Sequence, residues 1–177
     1  MEDIMSIIAD FFCHRASSRS LFWTSNQFWL CSRCTGMYSG IFFSYLLFSI
    51  YFYNQRPTPT LSQKFVFIFF FLSMIFDGVL SYLNITESSN LLRTLTGAMF
   101  GTTIPVFFYN AYNFNLQSKK ISLVIFCIYL LLTLSLIIIL YKTIIPYSMA
   151  TITTFTGIAF IYLMGCKLIY KGILLNK

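Results

Sequence analysis

The chain has 177 residues, of which 58% are hydrophobic and only 10% charged. Soluble domains are nearer half apolar and a quarter charged, so this composition excludes an ordinary soluble domain and places the chain in the membrane class. The net charge of +7 comes without a long basic run. It argues for topology control and contact with anionic lipid, and against nucleic acid as a partner.

Residues 1–12, "MEDIMSIIADFF", pattern as a short amphipathic helix lying at the interface. Their acidic start, with no long apolar stretch directly behind it, does not read as a signal peptide. Next come Cys13-His14-Arg15, Arg19, and Cys31-Ser32-Arg33-Cys34, a dense polar cluster ahead of the first apolar run.

A spanning helix needs about 20 apolar residues. Five segments qualify: 35–53, 65–83, 91–111, 121–141 and 149–170. Pro57 and Pro59 break the chain between the first two. The remaining connections are short, which favours antiparallel neighbours. The expected fold is therefore all-α: an integral membrane bundle of about five transmembrane helices forming one membrane domain over 1–177. Residues 1–34 form a Cys/His segment packed at one membrane face.

Five spans put the termini on opposite faces. One face collects Arg56, Lys64, Lys119, Lys120, Lys167, Lys171 and Lys177. The other has Lys142, together with Arg15, Arg19 and Arg33 from the polar cluster. The positive-inside rule then predicts a plasma-membrane protein with its N-terminus outside and its C-terminus cytoplasmic. Gly36 with Gly40, and Gly97 with Gly101, form two Gly-xxx-Gly pairs, a spacing that lets helix backbones approach closely.

Asp77 lies inside the second span, where an isolated carboxylate costs several kcal/mol. It marks either a functional site or a buried pair that orients helices. Ser88, Ser89 and Asn90 suit the cap of the third span, and Arg93 follows within its first turn. Asp77 and Arg93 flank a tight connection and can approach each other. The start of the first span, the end of the second and the start of the third share one face. Cys13, His14, Arg15, Arg19, Cys31, Arg33, Cys34, Asp77, Asn90 and Arg93 are therefore expected around one pocket at the membrane boundary.

Cys31-x-x-Cys34 has the spacing with which two thiolates grip a tetrahedral metal. With Cys13 and His14 it suggests a zinc site. Three ligands would leave an open position, the mark of catalytic zinc, whereas four would close it. Asp77 would then serve as general base or orient His14. Arg33 and Arg93 would hold an anion, and Arg15, Arg19 and Asn90 would add to the binding of an anionic, lipid-like or phosphorylated substrate. A redox pair Cys31/Cys34, activated by Arg33, is the rival reading, and inert thiols are a third. Cys127 and Cys166 sit in apolar runs and read as small buried hydrophobes.

The residues Cys13, His14, Arg15, Arg19 and Ser20, then Cys31, Arg33, Cys34, Thr35, Gly36, Tyr38 and Gly40, then Asp77, Gly78, Ser89, Asn90, Arg93, Gly97 and Gly101 resemble the pattern of a family. It comprises small prokaryotic multi-pass membrane proteins of unknown function with a Cys-His-Arg … Cys-x-Arg-Cys-Thr-Gly-x-Tyr-x-Gly signature. The resemblance covers residues 13–101. Ser17 and Trp29 stand in neighbourhoods where such proteins often carry Pro, which bears on the local turn and not on the ligand set. The resemblance implies that these polar groups act together and supplies no reaction. A metal-dependent membrane protein, a membrane thiol–disulfide protein and a small transporter or accessory subunit are the functional classes left open. The uncharged fourth span argues against a polar path across the bilayer.

Overall fold

The computed structural model describes residues 7, 10–11, 13, 17–23, 26–52, 57–112, 119–120, 123–142 and 146–175. Five helices make the body: α1 (Ser32–Phe52), α2 (Leu61–Tyr82), α3 (Asn90–Tyr112), α4 (Leu123–Tyr141) and α5 (Tyr147–Leu175). Each overlaps one of the expected apolar segments. Among the described residues, three stretches are long and apolar enough to cross a membrane: Leu61–Tyr82, Asn90–Phe108 and Tyr147–Tyr170. In α4 the apolar run Val124–Ile139 is shorter. Helix α1 carries Ser32, Thr35, Ser39 and Ser44 on positions that are fully buried inside the bundle, so it needs less apolar surface.

Local sequence explains the helix starts. Thr60 precedes α2, and its N–H donates to the Gln63 side chain at 2.9 Å, which closes the first turn. Ser89 caps α3, its hydroxyl accepting from the Leu92 N–H at 3.2 Å. Of residues 1–12, only Ile7, Asp10 and Phe11 are described, all three helical. Most of the expected interfacial helix thus lies outside the described residues.

Helix α1 is the hub. Its Gly36 and Gly40 lie against Thr94 and Ala98 of α3, while Gly97 and Gly101 of α3 lie against Arg33 and Met37 of α1. The two Gly-xxx-Gly pairs therefore face each other in a parallel helix pair, with backbones in direct contact. On another side of α1, Gly157 of α5 meets the Tyr38 carbonyl, and the Tyr45 and Phe160 rings stand 4.2 Å apart. Helix α4 runs the opposite way: Phe43 clusters with Ile137, and Phe48 with Phe126 and Tyr129. Helix α2 presents Phe65, Ile68, Phe69, Phe76 and Val79 outward, the side-chain types suited to lipid. The structure corrects the expectation that Cys127 and Cys166 are buried, since both are exposed.

Pro105 interrupts α3. Proline removes one backbone bond, and a membrane helix tolerates this when neighbouring side chains satisfy the freed groups. The carbonyl freed by Pro105 is that of Gly101; one residue on, the Thr102 carbonyl accepts from Ser44 Oγ and from Tyr129 OH, both at 3.1 Å. Ser44 and Tyr129 also bond each other. This knot ties α1, α3 and α4 in the buried centre. Tyr129→Phe is expected to cost about 1–2 kcal/mol, because it removes a buried hydroxyl that has two partners. Thermal unfolding in detergent would measure it, and an unchanged Tm would contradict the knot.

One element was not expected. Strands β1 (Ser20–Trp23) and β2 (Asn26–Cys31) form an antiparallel hairpin, with Ser20 opposite Cys31 and Trp23 opposite Asn26. A register irregularity falls between Ser20 and Phe22. Leu21, Phe28, Trp29 and Leu30 are buried with Tyr38 and Ile41 of α1 and with Ala150 and Ile158 of α5. Phe28 packs edge-on against Tyr147, with centroids 5.4 Å apart. The hairpin is thus wedged onto the bundle end where α1, α3 and α5 begin. At the opposite end, β3 (Pro57–Thr58) and β4 (Lys119–Lys120) pair in parallel and join the α1–α2 and α3–α4 connections.

Candidate functional site

The hairpin decides where the cysteines meet. Pairing Ser20 with Cys31 folds the chain back on itself, so the segment before Ser20 returns to the start of α1. Cys31 ends β2 and Cys34 lies in the first turn of α1. Cys13 approaches from the N-terminal side, and its sulfur accepts the Cys31 N–H at 3.1 Å. The Sγ atoms of Cys13, Cys31 and Cys34 all lie within 4.8 Å of one another, and all three residues are half-buried. No disulfide joins them.

Three thiols at this spacing share protons. Hydrogen bonds from Cys13 and then Cys34 push Cys31 well below the ordinary thiol range. Cys13 is pushed up, first by its bond to Cys31. This donor set fits a thiophilic cation, since metal binding displaces thiol protons. Thiolates about 2.3 Å from a tetrahedral zinc lie about 3.8 Å apart, so the observed grouping needs only a small closure. The chain offers three sulfurs here. His14, the expected fourth ligand, and Arg15 lie outside the described residues.

Among the described residues, the other polar side chains do not join the sulfurs in a single pocket. Adjacent residues on a helix diverge by about 100°, so Arg33 points away from Cys34 and toward α2. Its Nε donates to Asp77 Oδ2 at 3.0 Å, and its Nη2 makes an ion pair with the same oxygen. Thr96 of α3 adds a hydroxyl at 3.3 Å. Asp77 is 8% exposed. The carboxylate expected to approach Arg93 is therefore taken by Arg33, which reaches it across the α1–α2 contact.

Arg93 instead donates from Nε to Ser88 Oγ at 2.8 Å and from Nη2 to Ser81 Oγ at 3.3 Å. It is 9% exposed, and no carboxylate pairs with it among the described residues. It lines a polar cleft of about 470 Å³ together with Arg19, Ser88, Asn90 and Glu87. The cleft abuts the sulfur segment through two bonds. Asn90 Nδ2 donates to the Ser20 carbonyl at 3.3 Å, and Ser32 Oγ donates to the Arg19 carbonyl at 2.8 Å. Thr96 and Ser81 were not picked out by sequence reasoning. Ser81 stands four residues after Asp77, on the same helical face, and that spacing was the available signal.

A family model described as "Predicted membrane protein (DUF2085)" matches residues 13–107. The chain belongs to this family. The matched part begins at the first clustered cysteine and ends within α3, so it holds the sulfur cluster, the Arg33–Asp77 pair and the cleft. Helices α4 and α5 lie beyond the family match. Two archaeal proteins, both called uncharacterized, are similar to it. One, from Methanocaldococcus jannaschii, is 29% identical over 101 residues, covering 54% of this chain and 64% of that protein. The other, from Methanothermobacter thermautotrophicus, is 29% identical over 96 residues, covering 54% of this chain and 83% of that protein. The chain thus spans just under two thirds of the first relative. No solved structure matches it.

Proposed function

We propose that this DUF2085 protein is a zinc-binding membrane protein whose metal centre sits at the boundary of the bilayer and acts on, or recognises, an anionic lipid-like molecule. One observation carries the metal: the sulfurs of Cys13, Cys31 and Cys34 converge within 4.8 Å from three separate parts of the fold. His14, adjacent to Cys13, is the natural fourth ligand. Zinc held there would supply Lewis-acid polarisation if a position stays open, or bracing of the hairpin if four protein ligands close it.

The anionic partner is supported by charge. Arg19 and Arg93 lie at the same end of the bundle without a carboxylate bonded to either side chain among the described residues. Asp77 already engages Arg33, and we assign the pair to holding helices together and not to proton transfer. The positive-inside count supports placing this end outside the plasma membrane, with the C-terminus in the cytoplasm.

The test is elemental analysis of the detergent-purified full-length protein. About one zinc per chain is expected, and Cys34→Ser should lose it. Metal-free protein with a reducible Cys31–Cys34 link, detected by mass after alkylation, would replace the metal reading with a thiol–disulfide one. The three sulfurs are close enough to make that the specific rival.

A further inference from the structure

We infer that the cleft between Arg19 and Arg93 is a binding site for a phosphate group, and that Arg33 takes no part in it. The inference rests on the anionic-partner reading above and names the group recognised and the residues that hold it. Arg33 is committed to Asp77 within the α1–α2 contact. Arg93 differs. The residue is 9% exposed, and the described partners of its guanidinium are two serine hydroxyls, which carry no charge. A buried cation without a counter-charge is costly near a bilayer, and an incoming anion relieves that cost.

The surroundings select a phosphate. The cleft is large enough, at about 470 Å³, for a headgroup, and it is lined by Arg19, Arg93, Ser88, Ser89 and Asn90. Guanidinium groups and short hydroxyls match tetrahedral phosphate oxygens. The start of α3, at Asn90, adds the positive end of a helix dipole. Glu87 is the carboxylate lining the cleft, and the two arginines outnumber it. A lipid phosphate headgroup and free phosphate share this chemistry.

Native mass spectrometry of the full-length protein in detergent, with zinc measured on the same preparation, tests the assignment. Phosphatidic acid, phosphatidylcholine and inorganic phosphate are the probes. Phosphatidic acid should be retained about tenfold or more over phosphatidylcholine. Arg93→Gln and Arg19→Gln should each weaken that retention about ten- to hundredfold, and Arg93→Lys should keep part of it. Lys167→Gln, at the other end of the bundle, should change nothing. Arg19 is outward-facing, so Arg19→Gln decides the matter even if Arg93→Gln fails to fold. Displacement by millimolar inorganic phosphate would identify the phosphate group alone as ligand, and its failure to displace would identify the lipid headgroup. Equal retention of the two lipids, or wild-type retention by folded Arg19→Gln, overturns the site. Phosphatidic acid binding without zinc would sink the metal reading alone, and zinc without lipid selectivity would sink this one alone.

Discussion

Asp77→Asn should destabilise the protein by about 3–5 kcal/mol, the usual cost of leaving one member of a buried ion pair without its partner. The Arg33 side chain is 21% exposed and that of Asp77 is 6% exposed, so little solvent screens either charge. Arg33→Met should cost a similar amount for the mirror reason. The double variant Arg33→Met/Asp77→Leu should recover most of the loss, because two apolar side chains replace two desolvated charges at the same contact. Unfolding midpoints of wild type, Arg33→Met, Asp77→Leu and the double variant in one detergent complete the cycle. A double variant well below wild type would show that the pair contributes net stability, and a loss equal to the sum of the two singles would show that the charges are not coupled. Single variants within about 0.5 kcal/mol of wild type would show that the charges are not buried together at all.

The pair also explains how the site is organised. Arg33 lies between Cys31 and Cys34, and its side chain leaves the sulfurs to anchor α2. Thr96 joins the same carboxylate from α3. Two helices, α2 and α3, are thereby tied to the first turn of α1, which carries Cys34. A sulfur on a helix start braced in this way is pre-positioned, which is the condition for a candidate site that would not have to be organised by a metal.

The helices were legible in the sequence because each announces itself locally. A run of about 20 apolar residues has one inexpensive fate in a bilayer, and proline and polar loops mark its ends. The sulfur cluster was legible for a similar reason, since Cys31-x-x-Cys34 fixes two donors by spacing alone. The hairpin was not. Leu21, Phe28, Trp29 and Leu30 are buried against α1 and α5, and the α5 part of that contact lies more than 100 positions away. Pairing of the charges was equally hidden. Sequence proximity favoured Arg93 for Asp77, but the direction in which each side chain leaves its helix gave the carboxylate to Arg33. The polar groups were expected to share one pocket, and side-chain direction divides them into three adjoining parts.

The two Gly-xxx-Gly pairs give a prediction with its control in the same chain. A methyl on Gly97 would overlap the Arg33 carbonyl, and one on Gly36 would overlap the Thr94 carbonyl. At Gly40 the added carbon would sit 2.8 Å from the Ala98 carbonyl oxygen. The obstacle in each case is backbone, which cannot rotate aside, so α1 and α3 must part. Gly97→Ala and Gly36→Ala should each cost about 1–3 kcal/mol, the range for overpacking a tight contact. Gly165, also helical, has nothing within 4 Å of the added carbon. Gly165→Ala should therefore be neutral or stabilising by up to about 1 kcal/mol, because alanine is the better helix former. The same series bears on the metal. Gly97 packs on the turn that holds Cys34, so Gly97→Ala should lower zinc retention along with Tm, while Gly165→Ala leaves both in place. Equal tolerance of alanine at the two glycines would mean that α1 and α3 do not touch along their backbones, and the support beneath the sulfur cluster would have to come from elsewhere.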